Sequence, residues 1–292
     1  MKTIIRISST IITMMMCIAI LYTFSLPVNV LAEEQSYDPG TFEGRAAMII
    51  DYFNEKSPYD LNDFTNFGKY HNWIAEARFA KGNIQSALAI AEEAADRASG
   101  AMFHYYAMMD CYLRFKQYYP EALKNKIKDK ITNYTGYDGG TTENHKLMYS
   151  VARYLAGQEW PAQKVNMKAG EDWLNDFFER VTKQGFLEQD SSTYMPMYTS
   201  AVISLADHAK DSVMKQKAKM TYDWLIAQMA PEWLNGYFIS SSYRMLKPEV
   251  GPKNPSETLM IGWLHFGGEK PEYFMHYLDD WKEWYPDACW VI

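Results

Sequence analysis

The chain has 292 residues, of which 36 are acidic and 29 are basic, so its formal charge at pH 7 is −7. Hydrophobic residues make up 48% of the sequence and aromatic residues 15%, which is too apolar for a disordered chain at this charge. The excess of acidic residues argues against a nucleic-acid-binding protein, because such proteins need a basic surface. A chain of this length folds as one large domain or two small ones.

Residues 1–32 have the pattern of a cleaved secretory signal. Lys2 and Arg6 form a basic start, residues 11–26 are almost entirely apolar or small, and small residues followed by an acidic pair mark the cleavage site. No later apolar run approaches the roughly 18 residues that a membrane-spanning helix needs. We therefore expect residues 33–292 to form one exported domain, secreted or held in the cell envelope or periplasm, that makes no contact with a membrane.

The apolar residues that follow the signal recur with helical spacing, and no run alternates as a strand would. This pattern predicts about ten helices separated by short polar or Gly/Pro turns. The predicted helices comprise one that contains residues 46–53 and ends before Ser57, and then 71–80, 84–98, 101–118, 120–132, 142–158, 168–183, 195–209, 212–229, 257–266 and 272–284.

A series of this kind buries its apolar faces best as antiparallel helix pairs. We expect an all-α fold in which the pairs close into an α/α toroid, as an incomplete (α/α)6 barrel. An open α-solenoid is the alternative, although no fixed-period repeat is visible. The last residues, Cys289 to Ile292, are apolar, whereas chain ends are normally polar. This predicts either a toroid shortened at its C-terminus or burial of the end by a partner chain.

Two cysteines follow the signal, Cys111 and Cys289. They could form one disulfide in an oxidising compartment, but two cysteines do not make a disulfide framework. We expect both to be small buried apolar residues. No CxxC pair is present, so a thiolate zinc site is not expected, and nothing in the sequence predicts a metal or cofactor.

A first candidate site lies at the start of the helix predicted from Thr142. Thr141 or Thr142 can cap this helix, Asn144 falls on or beside its inward face, and His145 lies one turn before Tyr149. Polar side chains at a helix N-terminus, next to the positive end of its dipole, suit an anionic group. The alternative is that these residues only cap the helix.

A second cluster surrounds the start of the helix predicted from residue 195. Ser192 or Thr193 can cap it, and Glu188 is predicted to be a free carboxylate in the preceding loop. Tyr194 and Tyr198 are four residues apart and therefore share one helical face. Each feature also has an ordinary structural explanation: Glu188 would be a solvated acid in a loop, and the two tyrosines would belong to the core.

Further candidates combine an arginine or a histidine with aromatic residues. Tyr243 and Arg244 lie in a small polar loop, where the arginine can hold an anionic ligand or favour a phenolate. His71 lies close to Trp73, and His104 stands within a run of aromatic residues. Each grouping is weak when taken alone.

The Thr-Glu-Asn-His segment at residues 142–145, followed along the chain by Tyr194 or Tyr198, resembles α/α-toroid polysaccharide lyases of the alginate lyase and heparinase type. Residues 185–194 and 235–244 also resemble exported bacterial toroid proteins that lack a settled function. The resemblance implies that an adjacent Asn and His, a Tyr and an Arg form a site for uronate-containing chains.

In such a lyase, Asn144 and His145 would neutralise the uronate carboxylate while a neighbouring proton is removed. Tyr194 or Tyr198, with its phenolate favoured by Arg244, would take that proton and return one to the leaving oxygen. Alternate loops of a toroid share one end, so we expect these residues to face one cavity. The leading expectation is an exported carbohydrate-active enzyme, a lyase that cleaves a polysaccharide by β-elimination without a metal or cofactor.

Two alternatives stay open from the sequence. A glycoside hydrolase would use carboxylates such as Glu143 and Glu188 as acid and base. A glycan-binding or scaffold protein would keep an aromatic groove without catalysis. In the lyase, we expect the substrate to be bound by residues around the catalytic group: Glu143, Glu188, Tyr243, His71, Trp73 and His104.

Overall fold

A computed structural model describes most of the chain beyond the predicted signal peptide. It describes residues 37–56, 70–98, 102–138, 140, 142–162, 165–239, 257–278 and 283–285. The predicted signal peptide, Cys289, Tyr243 and Arg244 lie outside the described residues. The described part is mainly helical, which confirms the all-α prediction.

The structure describes ten α-helices whose positions confirm the helical periodicity of the sequence, with ends that shift by a few residues. They are α1 (Phe42–Glu55), α2 (His71–Ala80), α3 (Ile84–Arg97), α4 (Met102–Phe115), α5 (Glu121–Thr132), α6 (Glu143–Glu159), α7 (Met167–Gln184), α8 (Met195–His208), α9 (Ser212–Met229) and α10 (Glu257–Phe266). Short 3-10 turns occupy Lys116–Tyr118, Gly136–Asp138 and Ala230–Glu232. None of these described helices is both long and apolar enough to cross a membrane.

The helix predicted over residues 272–284 is wrong. Two strands, β3 (His276–Leu278) and β4 (Glu283–Tyr285), pair there as an antiparallel ladder, and β1 (Trp233–Leu234) pairs with β2 (Tyr237–Phe238) further upstream. Periodicity separates helix from strand poorly in short apolar runs, and this run is rich in aromatic residues that favour strands. The sequence between β3 and β4 contains two aspartates, which favour a turn.

Alternate helices pack against one another in series. The helix α2 contacts α4, α4 contacts α6, α6 contacts α8, and α8 contacts α10. Between them in sequence, α3 packs on α2, α5 on α4, α7 on α6, and α9 on α8. The first helix, α1, contacts both α10 and α2, so it joins the two ends of the series.

Side-chain contacts show that neighbouring members of the series run in the same direction. The ring of Phe103 at the start of α4 lies 5.7 Å from that of His145 at the start of α6. The hydroxyl of Tyr198 in the first turn of α8 donates to Glu143 in the first turn of α6, at 2.8 Å. The amide of Thr258 at the start of α10 donates to a carbonyl just before α8. The N-termini of these helices therefore meet at one end of the domain.

The helix α1 runs the opposite way to α10. Arg45, near the start of α1, donates from Nε to the carbonyl of Leu264 near the end of α10, at 3.0 Å. Its Nη1 donates to the carbonyl of Pro39 at 2.8 Å, and the side chain is buried. The first bond satisfies a carbonyl near the C-terminal end of α10, and the second satisfies a carbonyl in the turn before α1. Arg45 thus fixes α1 against the last helix of the series.

A glycine allows the close approach of α6 and α7. A Cβ atom at Gly170 would lie 2.9 Å from the carbonyl oxygen of Ser150 and 3.1 Å from the amide nitrogen of Tyr154, both in the backbone of α6. Backbone atoms cannot move aside as the end of a flexible side chain can. A side chain at this position would therefore push the two helices apart.

We predict that Gly170→Ala destabilises the protein by about 1–3 kcal/mol, because overpacking outweighs the better helix propensity of alanine. The matched control is Gln216→Ala on the exposed face of α9, which should change stability by less than about 0.5 kcal/mol. Denaturant unfolding of both variants measures the difference. Equal stability of Gly170→Ala and the wild type would contradict the packing described here.

Candidate functional site

Two buried carboxylates tie the start of α6 to the loop that precedes α8. The backbone amide of Asn144 donates to Oε2 of Glu188 at 3.1 Å, and its side-chain amide donates to the same oxygen. In return, the amide of Leu187 donates to Oε2 of Glu143 at 2.7 Å. Thr142 occupies the predicted N-cap position but makes no side-chain capping bond. Glu188 takes over that function from a distant part of the sequence.

The hydroxyl of Tyr198 joins both carboxylates. It lies 2.8 Å from Oε2 of Glu143 and 2.9 Å from Oε2 of Glu188, and the side chain is fully buried. Burial, followed by the two nearby carboxylates, raises the pKa of Tyr198 far above its usual range. Arg180 forms an ion pair with Glu143, which offsets part of the repulsion between the two acids. Tyr198 is therefore a hydrogen-bond donor that holds its proton.

This geometry corrects the predicted roles of Asn144, Tyr198, Glu143 and Glu188. Tyr198 cannot accept a substrate proton while its phenol donates to carboxylates, and the amide of Asn144 is already occupied by Glu188. Glu188 is 3% exposed rather than a free loop carboxylate, because the loop folds back onto α6 after Gly185, whose φ is 78°. Glu143 is held in the same buried network at 5% exposure, and neither it nor Glu188 lines the cavity described below.

His145 and Tyr194 lie at the same end of the domain and are only half-buried. The ring of His145 meets the edge of Phe103, and Tyr194 occupies the N-cap position of α8, where its amide donates to Oγ of Ser191 at 3.1 Å. Asn144, His145 and Tyr194 thus lie at one end of the domain, but none of them lines the cavity described below, and the prediction that they face one cavity stays a prediction. The position of Arg244 relative to them lies outside the described residues.

The other predicted binding residues separate into two groups. His71 and His104 are buried in the first turns of α2 and α4. Trp73, also in α2, faces a cavity inside the domain, where its ring lies 5.7 Å from that of Tyr106. Tyr243, like Arg244, lies outside the described residues. Trp73 is thus the sequence-predicted residue that the structure connects with a cavity.

This axial cavity has a volume of about 520 Å³ and lies among α1, α2, α4, α8 and α10, with one side chain from α9. Its wall combines flat aromatic rings with hydroxyl groups and charged groups. The aromatic and hydroxyl residues are Phe42, Trp73, Tyr106, Tyr222, Thr199 and Ser200, and the charged residues are Asp110, Arg114 and Asp207. An enclosed, mostly apolar cavity with a few polar groups is the usual form of a small-molecule site.

Arg114 connects three carboxylates from three helices at the cavity wall. Its Nε lies 2.9 Å from Oδ2 of Asp110 in α4 and 3.5 Å from Oε2 of Glu76 in α2, and its Nη2 lies 2.9 Å from Oδ2 of Asp207 in α8. His208 places Nε2 3.3 Å from Oδ1 of Asp110. Asp207 is the most accessible acid of this Arg114 cluster, with its side chain 42% exposed.

The environments of Glu76 and Asp110 push their pKa values in opposite directions. Burial, and then the charge of Asp110, raises the pKa of Glu76 well above its ordinary value, although Arg114 opposes this. Burial alone would also raise the pKa of Asp110, but Arg114 and His208 outweigh it and hold that pKa well below its usual range. These surroundings therefore favour the protonated form of Glu76 and the ionised form of Asp110. Paired acids separated in this way are the usual basis of acid–base assignments in enzymes.

A tyrosine and a neutral histidine also line the cavity. The hydroxyl of Tyr222 lies 2.8 Å from Nε2 of His265, and the ring of Phe42 lies 5.3 Å from that of His265. Burial, aided by the charge of Arg45, lowers the pKa of His265 to about 4, while burial raises the pKa of Tyr222 to about 12. At neutral pH the phenol therefore donates to an uncharged imidazole.

Sequence reasoning missed the Arg114 cluster because its members match no short motif. A signal was nevertheless present. Asp110 and Arg114 are four residues apart within the otherwise apolar run of α4, and Glu76 lies within a run of apolar residues in α2. Charged residues on the buried face of an amphipathic helix are rarely tolerated without partners. Their position alone therefore indicates a buried electrostatic network.

Comparison with known proteins finds no significant match: no family model, curated protein or solved structure is similar to this chain. The resemblance to polysaccharide lyases thus stays a prediction from short motifs. Within the described residues, no group of three or more His, Cys, Asp and Glu side chains is arranged to hold a metal ion.

We predict that Tyr198→Phe destabilises the protein by about 1–3 kcal/mol, because two buried carboxylates lose a shared donor. The control is Tyr118→Phe, whose ring is 45% exposed and which should leave stability unchanged within about 0.5 kcal/mol. Thermal or denaturant unfolding provides the comparison. If both variants are as stable as the wild type, the Tyr198 hydroxyl does not hold the loop before α8 onto α6.

Proposed function

We propose that the chain is a carbohydrate-active enzyme with its active site in the axial cavity, and that its helices form an incomplete α/α toroid around that cavity. The series α2, α4, α6, α8 and α10 supports the toroid, since its members are neighbours and the next helix in sequence packs on each of the first four. The contact of α1 with both ends of the series gives the ring its closure.

The lining of the axial cavity supports a sugar as the ligand. The rings of Trp73 and Tyr106 offer flat apolar surfaces for a sugar face. Thr199, Ser200 and Asp207 offer hydroxyl and carboxylate groups to the hydroxyls of the ring. Export, which we propose from residues 1–32, would bring such an enzyme to polysaccharides outside the cytoplasm.

The Arg114 cluster supports hydrolysis of a glycosidic bond. The proton favoured on Glu76 passes first to the Asp110 carboxylate and from there to the glycosidic oxygen, so that both acids end the step as carboxylates. Asp207, which pairs with Arg114 and lines the cavity, takes a proton from the water that attacks the sugar carbon. The carbon–oxygen bond breaks and the water oxygen replaces the leaving sugar. The observation that carries this proposal is that two carboxylates from different helices, Asp110 and Asp207, line one cavity and are bridged by the guanidinium of Arg114.

The test is a screen of neutral, amino and uronate polysaccharides with two readouts. A hydrolase releases new reducing ends without ultraviolet absorbance, whereas a lyase forms an unsaturated product that absorbs. We expect reducing ends alone, and a loss of about 100-fold or more in kcat for Asp207→Asn and for Glu76→Gln. Asp172→Asn, on the exposed surface of α7, is the control and should keep full activity.

Three results would contradict the hydrolase. The first is full activity in Asp207→Asn. Asp207 has the most accessible side chain among the acids of the cluster, so this substitution is the least expected of them to cause a folding defect. The second is a product that absorbs in the ultraviolet. The third is binding without any product, which would identify a non-catalytic glycan-binding protein.

The lyase is the second candidate, and the placement of His145 and Tyr194 favours it. Both are half-buried where the N-termini of α4, α6 and α8 meet, and converging helix N-termini attract an anionic uronate. In this candidate His145 would neutralise the carboxylate and Tyr194 would transfer the proton. Loss of an absorbing product in Tyr194→Phe, with binding retained, would establish it over the hydrolase.

A further inference from the structure

We propose that the sugar bound in the axial cavity carries a positive charge, as an amino sugar with a free amine does. This inference deepens the proposed function and rests on it. It names the charge class of the substrate, which distinguishes amino sugars from neutral sugars and from the uronates of the lyase candidate.

The charges of the cavity wall are the first support. Among the described lining residues, two carboxylates face the cavity, Asp110 and Asp207, and one guanidinium, that of Arg114. Arg114 already contacts both of these acids and Glu76, so it is not available to bind a uronate carboxylate. An anionic sugar would therefore enter a site whose cation is taken and whose remaining charge repels it.

Asp207 offers a specific position for an ammonium group. Arg114 contacts its Oδ2, and no described residue donates a hydrogen bond to its Oδ1. Lys215 approaches the same residue, but its Nζ binds the main-chain oxygen at 3.0 Å rather than the carboxylate. Tyr222, which also lines the cavity, stays a neutral phenol. A carboxylate oxygen has two acceptor positions, so an ammonium group would take one position of Oδ1 in a charge-assisted hydrogen bond and leave the other for the attacking water.

The ends of three helices add to the negative potential. Arg114, Asp207 and His265 lie in the last turns of α4, α8 and α10, so the C-terminal ends of these helices meet at this part of the cavity. The C-terminal end of a helix carries a partial negative charge that favours cations. His265 adds no positive charge at neutral pH, since its pKa is lowered to about 4.

The aromatic rings of the cavity are the last support for a cationic sugar. Four aromatic side chains line the cavity together with Asp207: Phe42, Trp73, Tyr106 and Tyr222. The faces of such rings attract an ammonium group as well as the apolar face of a sugar. A neutral sugar would use the stacking surface alone, whereas an amino sugar would use the stacking surface, the ring faces and the carboxylate together.

The experiment compares tetrasaccharides of glucosamine, N-acetylglucosamine and galacturonic acid by calorimetry at mildly acidic pH, where the amines of glucosamine are protonated and the uronates are ionised. The protein is the full mature chain as Glu76→Gln, so that turnover does not consume the ligand. We expect the glucosamine tetrasaccharide to bind about tenfold more tightly than its N-acetylated counterpart, and the uronate to bind most weakly. In Glu76→Gln combined with Asp207→Asn, the preference for the free amine should fall to about twofold or less. The double variant Glu76→Gln with Asp172→Asn is the matched control and should keep the full preference for the free amine.

The outcomes separate this inference from the proposed function. Equal binding of the glucosamine and N-acetylglucosamine tetrasaccharides would overturn the charge preference while leaving a sugar-binding enzyme in place. A preference that survives Asp207→Asn would overturn the position given to the ammonium group. Failure of every tetrasaccharide to bind, in a protein whose melting curve is that of the wild type, would overturn both proposals.

Discussion

One guanidinium determines how three of the parallel helices approach one another. Arg114 lies between Glu76 of α2, Asp110 of its own helix α4 and Asp207 of α8. Each of these acids would be costly to bury alone, and removing one partner of a buried ion pair leaves an uncompensated charge. The three helices therefore have to meet where Arg114 can reach all three carboxylates. Asp110, Arg114 and Asp207 also line the axial cavity. The packing of the helices and the proposed active site therefore depend on the same ion pairs.

A second network of buried acids lies at the other end of the domain. Burial is costly for these acids too, but their partners differ from those of the Arg114 cluster. Glu143 and Glu188 are also desolvated acids, but their partners are the Tyr198 hydroxyl, backbone amides and Arg180. All of these partners belong to the protein itself, and the carboxylates are almost fully buried. Asp207 differs because its side chain is 42% exposed and faces a cavity. Access to a ligand, rather than the presence of paired acids, distinguishes the proposed site from a structural tie.

The helices could be predicted from the sequence because their apolar stripes are long. The segments 71–80, 212–229 and 257–266 agree with the structure at both ends. The prediction failed at 272–284, where a short aromatic-rich run forms β3 and β4 instead of a helix. Periodicity distinguishes a ten-residue helix far better than it distinguishes two three-residue strands.

The site was harder to predict because the environment of a carboxylate is a tertiary property. Glu188 stands in a polar, glycine-containing loop that has the sequence of a solvated turn, yet it is buried against Asn144. The reverse holds for Glu76 and Asp110, which stand in apolar runs and meet only when α2 packs against α4. The sequence indicates that these charged residues need partners, whereas the fold decides which partners they have.

The position of a bound oligosaccharide tests the central claim most directly. The measurement is a crystal structure of Glu76→Gln with a bound oligosaccharide that the wild-type enzyme cleaves. We expect sugar rings in the axial cavity, stacked on Trp73 and Tyr106, with a glycosidic oxygen within hydrogen-bonding distance of Asp110. An oligosaccharide bound instead beside His145 and Tyr194, with the axial cavity empty, would contradict it.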